Sequence, residues 1–164
     1  MTDSAPSRIP ALGPRGEGWV VLQLTLIVAV VAACWWGGGH WYLPWQSVVG
    51  FVGNVLLIGG LLVGVIGTLG LSSSLTILPR PKDDGALVTN GLYRFVRNPI
   101  YAGLIAATFG ASIASGTWLA LALSAVLAVV LDLKTRREEV FLRARFPDYA
   151  AYAARTRKFI PGLY

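Results

Sequence analysis

Two long stretches of this chain carry no formal charge. From Gly18 to Pro79 there is no Lys, Arg, Asp or Glu, and from Asn98 to Leu131 there is again none. A helix needs about 20 apolar residues to cross a bilayer's hydrocarbon core. The first stretch is long enough for two crossings, Trp19 to Trp36 and Val48 to Leu71. Between them, Gly37-Gly38-Gly39-His40-Trp41-Tyr42-Leu43-Pro44-Trp45 reads as a breaker-rich turn with aromatics suited to the headgroup zone. The second stretch fits one long tilted helix or two short ones turning at Ala114-Ser115-Gly116.

Charge placement chooses between them. Arg8, Arg15, Arg80, Lys82, Arg94, Arg97 and the cations beyond Asp132 make up all 14 Lys and Arg. Two helices in the second stretch put all of them on one side of the membrane, as the positive-inside rule favours. The expected fold is an all-α integral membrane protein with about four transmembrane helices, two plus a C-terminal hairpin. Both termini and the long loop then face the cytoplasm. Helices of about 15 residues suit a thinned bilayer or a partly buried hairpin.

The chain reads as one domain. Residues 1–18 form a flexible or surface-lying tail without a signal-peptide pattern. Residues 72–98 form a cytoplasmic loop and 134–164 a cytoplasmic C-terminal segment. In the loop, Ser72-Ser73-Ser74, Pro79 to Gly85 and Thr89-Asn90-Gly91 are turn signals. Leu87, Val88, Leu92, Tyr93, Phe95 and Val96 alternate with polar residues, which predicts that the loop folds back on the bundle. Pro99 is suited to the first turn of the third helix. The fourth helix is expected to run from Thr117 beyond the membrane, with no breaker before Pro147. A last short helix from Asp148 to Arg155 sets Tyr149 and Tyr152 on one face. Gly53, Gly60, Gly64 and Gly67 share a face of the second helix and let another helix or a flat ligand come close.

The net charge of +6 reflects membrane orientation and anionic lipid more than nucleic acid. Cys34 is the only cysteine, so neither an intramolecular disulfide nor a cysteine metal cluster can form. His40 is the only histidine and lies opposite the charged clusters, which argues against a histidine metal site or a catalytic triad. Walker and dinucleotide-binding glycine motifs are missing. An ion-coupled transporter keeps ionisable groups in the bilayer, and here only Asp132 approaches it. Three polar clusters remain at the cytoplasmic mouth: Arg94, Arg97, Asn98 and Tyr101; Glu138 and Glu139; Tyr149, Tyr152 and Arg155. A carboxylate pair beside cations can hold an ammonium and ribose hydroxyls, and an arginine can hold a carboxylate.

The segment Gly85-Ala86-Leu87-Val88-Thr89-Asn90-Gly91-Leu92-Tyr93-Arg94-Phe95-Val96-Arg97-Asn98-Pro99-Ile100-Tyr101-Ala102-Gly103 resembles the cofactor-binding segment of the isoprenylcysteine carboxyl methyltransferase and phospholipid N-methyltransferase superfamily. Glu138-Glu139-x-x-Leu142, Phe146-x-x-Tyr149-x-x-Tyr152 and Phe159-Ile160-Pro161 follow in that superfamily's order, as in a small prokaryotic-type member. The resemblance implies S-adenosylmethionine as cofactor and a lipophilic methyl acceptor arriving from the bilayer. It places Leu87, Val88, Gly91, Tyr93, Arg97, Asn98, Tyr101, Glu138 and Glu139 around the cofactor. Tyr149, Tyr152 and Arg155 fall to the acceptor, with Arg97 and Arg155 as the catalytic, positioning arginines. The superfamily's usual histidine before proline is Asn98 here. Asparagine hydrogen-bonds but cannot titrate near neutral pH. Two other readings stand beside this one: a non-catalytic lipid-binding or assembly protein, and a nicotinamide-dependent membrane reductase.

Overall fold

A computed structural model describes Leu12 and residues 16–37, 39, 41, 44–71 and 87–163. Most of the expected N-terminal tail, four residues of the aromatic link (Gly38, His40, Tyr42 and Leu43) and residues 72–86 of the long loop lie outside the described residues. Among the described residues, the chain forms α1 (Glu17–Trp36), α2 (Gln46–Gly70), α3 (Pro99–Ser115), α4 (Trp118–Arg145) and α5 (Tyr149–Arg155). The protein is an all-helical integral membrane protein. Helices α1, α2 and α4 are long and apolar enough to cross a bilayer, and α3 is a shorter apolar helix.

The second charge-free stretch is thus two helices. Gly116 makes the turn in the left-handed region, at φ 70°, where a side chain is strained. Pro99 opens α3 at its first position, where its missing N–H costs nothing. Helix α4 is continuous for 28 residues and ends at Phe146, which the following Pro147 holds extended.

The 17 residues of α3 span only about 25 Å. Its neighbours compensate. Helix α2 packs along one side of α3 while α1 and α4 pack on the other. The glycine stripe of α2 makes this possible. A β-carbon on Gly53 would lie 2.6 Å from the Ala114 amide nitrogen, and one on Gly60 would lie 2.6 Å from the Gly103 carbonyl oxygen. The stripe is therefore filled by α3, whose own Gly103 and Gly110 meet it backbone to backbone. Lipid gives apolar helices no hydrophobic reason to associate, so this close contact supplies dispersion energy instead. Across α3, the buried Ser112 and Ser124 hydroxyls join α3 to α4 at 2.9 Å.

The bundle has two unlike ends. At the hairpin tip, Trp35, Trp36, Trp45 and Trp118 are exposed, as in an interfacial aromatic belt. Trp41 fastens the α1–α2 link to this tip, donating to the Ile113 carbonyl at 2.6 Å and meeting the Trp118 ring edge-on. At the other end, α4 continues past Leu131 as a charged helix, and the loop and C-terminal segment gather against it.

Candidate functional site

The described part of the loop does fold back on the bundle. Residues 91–94 form a 3-10 turn that begins at Gly91, φ 56°. The turn buries Tyr93 against α2, where its hydroxyl donates to the Gly67 carbonyl at 3.3 Å. The following residues pair in parallel with the C-terminal segment through Val96 and Arg157. The Arg97 amide donates to the Arg157 carbonyl at 2.7 Å, and the Arg157 amide returns to the Phe95 carbonyl at 3.1 Å. Asn98 donates to the Lys158 carbonyl through its backbone at 3.2 Å and its side chain at 3.4 Å. Here Asn98 is a fastener, a task that needs a donor and no titrating group. Lys158 in turn reaches the Asp132 carboxylate, which also accepts from Arg136 at 2.7 Å.

This folding brings Arg97 onto the C-terminal end of α5. Its guanidinium donates to the carbonyls of Ala153 at 3.0 Å and Thr156 at 2.7 Å, and to Glu139 at 2.9 Å. A fork of rigid donors suits this geometry, because it satisfies helix-end carbonyls and a carboxylate together. Glu138 points elsewhere. Adjacent helix residues are turned about 100° apart, and Glu138 faces the first turn of α3. It accepts the Tyr101 hydroxyl at 2.8 Å, with the Lys134 ammonium 4.0 Å away. The two glutamate side chains keep 17% and 15% of their surface open, enough for a ligand to touch.

The tyrosines of the C-terminal segment, which the resemblance assigned to the acceptor, are buried. Tyr149 and Tyr152 are 1% and 3% exposed. Their rings meet edge to face, and the Tyr152 hydroxyl donates to the Tyr93 carbonyl at 2.7 Å. Burial pushes the Tyr152 hydroxyl up to about 12 and raises those of Tyr93 and Tyr149 as well, so all three stay protonated. Tyr152 thus ties α5 to the loop, while Tyr149 packs beside it with its buried hydroxyl lacking a hydrogen-bond partner among the described residues. Arg155 is exposed at the end of α5. Leu87 and Val88 are half-buried at the start of the described loop, and Gly91 is exposed at its turn.

Two residues escaped the sequence reading. Lys134 is 1% exposed and donates to Gln23 of α1 at 2.8 Å. The four-residue spacing of Lys134 and Glu138 was a usable signal. Gln23, a polar residue within an apolar helix, offered none until the fold supplied its partner.

The phospholipid methyltransferase family pattern matches residues 48–149, from α2 to the start of α5. The cobalt-zinc-cadmium resistance protein CzcN of Cupriavidus metallidurans is 32% identical, over 99% of this chain and 76% of that protein. The nickel-cobalt-cadmium resistance protein NccN of Alcaligenes xylosoxydans xylosoxydans is 29% identical, over 88% of this chain and 63% of that protein. A match over more than half the chain, together with a relative aligned along nearly all of it, establishes that the chain belongs to the phospholipid methyltransferase family.

Proposed function

We propose that the protein is a membrane methyltransferase that uses S-adenosylmethionine and methylates a lipophilic acceptor: an isoprenylcysteine-like carboxylate or another small lipid-like oxygen, nitrogen or sulfur nucleophile. The observation that carries this reading is Glu138, a carboxylate held by Tyr101 at the mouth of the bundle and still partly open. Its donor set fits such a cofactor. A partly open carboxylate accepts from ribose hydroxyls or an ammonium and favours a cation beside it. Bound there, S-adenosylmethionine would supply a methyl group activated by its sulfonium.

The chain's residues have little acid–base work to do. Transfer breaks the carbon–sulfur bond, leaves its electron pair on sulfur and joins the carbon to an acceptor lone pair. A carboxylate or thiolate acceptor needs no base, whereas an amine must first be unprotonated. Positioning then supplies most of the rate. Arg97 supports that task by locking the loop, α4 and the C-terminal segment around one point. The acceptor would arrive from the bilayer, where the apolar faces of α1 and α2 lie exposed, and the charged end would face the cytoplasm.

Calorimetric titration of the detergent-purified chain with S-adenosylhomocysteine tests the reading. Micromolar binding is expected, weakened about tenfold or more by Glu138→Gln through loss of a charge-assisted hydrogen bond. A folded protein that binds none sinks the reading. The names of the relatives favour one biological setting, metal resistance. Among the described residues no three of His, Cys, Asp or Glu come together to hold a metal ion. The setting proposed is methylation of a membrane component under metal stress. Cells carrying Glu138→Gln should then lose cobalt, zinc or cadmium tolerance that the wild type confers.

A further inference from the structure

Lys134 is the most deeply buried charged residue among those described, and the cofactor chemistry above gives it no task. It sits in α4 one turn before Glu138, where the apolar part of the helix gives way to its charged extension. Its ammonium touches three helices. It donates to the Gln23 side-chain oxygen of α1 at 2.8 Å. It lies 5.0 Å from the centroid of the Tyr101 ring of α3, over the electron-rich face that attracts a cation. It approaches Glu138 Oε1 to 4.0 Å, the same oxygen that accepts the Tyr101 hydroxyl.

This arrangement is directional. The lysine and the tyrosine converge on one oxygen of Glu138, so the carboxylate is held by that edge. The side chain keeps 17% of its surface open, and Oε2 is left outside these two contacts. Gln23 matters because an ammonium on a four-carbon stem has no geometry of its own. An amide acceptor on α1 gives it one. Gln23 thereby ties helix α1 to the ammonium beside Glu138.

We propose that Lys134, aimed by Gln23, is a positioning residue that fixes the orientation of Glu138 toward a bound cofactor. The proposal rests on the methyltransferase reading of the site. A merely structural ion pair would stabilise the fold without steering affinity, and the two roles separate in one set of variants.

The experiment compares Lys134→Met, Gln23→Leu, Gln23→Glu, Glu138→Gln and the double variant Lys134→Met/Glu138→Gln. Each full-length protein is followed by thermal unfolding and by titration with S-adenosylhomocysteine. Lys134→Met should lower Tm, because it strands a partly buried carboxylate. It should also weaken binding about tenfold, as loss of a charged partner does. The double variant should regain Tm, since neither charge is left alone, yet still bind weakly. Gln23→Leu should weaken binding and also lower Tm, because it removes an acceptor of the buried ammonium, and Gln23→Glu, which keeps an acceptor, should restore both. Wild-type affinity in Lys134→Met and Gln23→Leu, with binding still lost in Glu138→Gln, overturns the positioning role. Additive losses of Tm in the double variant overturn the Lys134–Glu138 pairing, whatever the cofactor. No binding by the folded wild type overturns the methyltransferase reading instead, and the Tm cycle still reads the pairing.

Discussion

Helix α3 meets its neighbours in two unlike ways. Along α2 it presents almost nothing: Gly103, Ala107 and Gly110 lie against Gly53, Gly60 and Gly64, and the contact is backbone on backbone. At its first turn it presents Tyr101 to Glu138, while the loop leading into it sends Arg97 to Glu139 and the end of α5. The first contact is specified by what is missing, because a β-carbon on Gly53, Gly60, Gly103 or Gly110 would meet a neighbouring main chain. The second is specified by direction, because each donor has an acceptor at hydrogen-bond distance. A seam without side chains tolerates no addition, and a network of charged groups tolerates no subtraction. The membrane part of the protein is thus a rigid frame, and the polar end is an assembly keyed to a few partners.

Subtraction at Arg97 should have the largest effect on stability. Arg97→Met leaves Glu139 and the carbonyls of Ala153 and Thr156 without their donor. Breaking one side of a largely buried ion pair costs about 3 kcal/mol or more. Thermal unfolding in detergent should show that loss. Limited proteolysis should show early cleavage near Phe146 as α5 detaches. Arg97→Lys should recover less than half of the loss, because one ammonium cannot reproduce the fork. Equal stability of Arg97→Met and wild type would mean that the C-terminal segment is held by its backbone pairing and tyrosines alone.

The two kinds of contact were not equally legible. Charge-free length and the placement of cations were enough to predict the four apolar helices and the hairpin turn at Gly116. The stripe from Gly53 to Gly67 stood out by its spacing, but its occupant did not. Gly103, Ala107, Gly110 and Ala114 repeat at helical spacing, a signal as strong as the stripe itself. At the polar end the residue types were legible as clusters, and the partners were not. Glu138 and Glu139 are neighbours in the chain and serve different partners, Tyr101 of α3 and Arg97 of the loop, which the about 100° turn between them explains. Tyr149 and Tyr152 were legible as one face of a short helix, but not that Tyr152 reaches back to the Tyr93 carbonyl.

Addition at the seam tests the other half of the comparison. A β-carbon on Gly60 would meet the Ala107 amide and the Gly103 carbonyl, whereas one on Gly59 would meet nothing within 4 Å. Gly60→Ala should therefore cost about 1–3 kcal/mol, the usual cost of overpacking. Gly59→Ala should be neutral or stabilise by up to about 1 kcal/mol through helix propensity. Unfolding midpoints of the two variants, measured side by side in one detergent, check this. Equal midpoints would show that α2 and α3 slide apart at little cost, and the frame would then be no more rigid than the polar end.

The smallest expected effect lies where the two kinds of contact meet. Ser112 and Ser124 form a single directional bond inside the apolar part of the bundle, 2.9 Å long and wholly buried. Hydrogen bonds between membrane helices couple by about 0.6 kcal/mol on average, because a chain unfolded within lipid finds other partners for its hydroxyls. Ser112 has one already, the Thr108 carbonyl at 2.8 Å. A cycle of Ser112→Ala, Ser124→Ala and the double variant should therefore give a small coupling close to that average. A coupling of several times that size would place α3–α4 recognition in this pair. A coupling near zero would leave the hairpin to Gly116 and close packing, and directional specification would then begin only at the charged end.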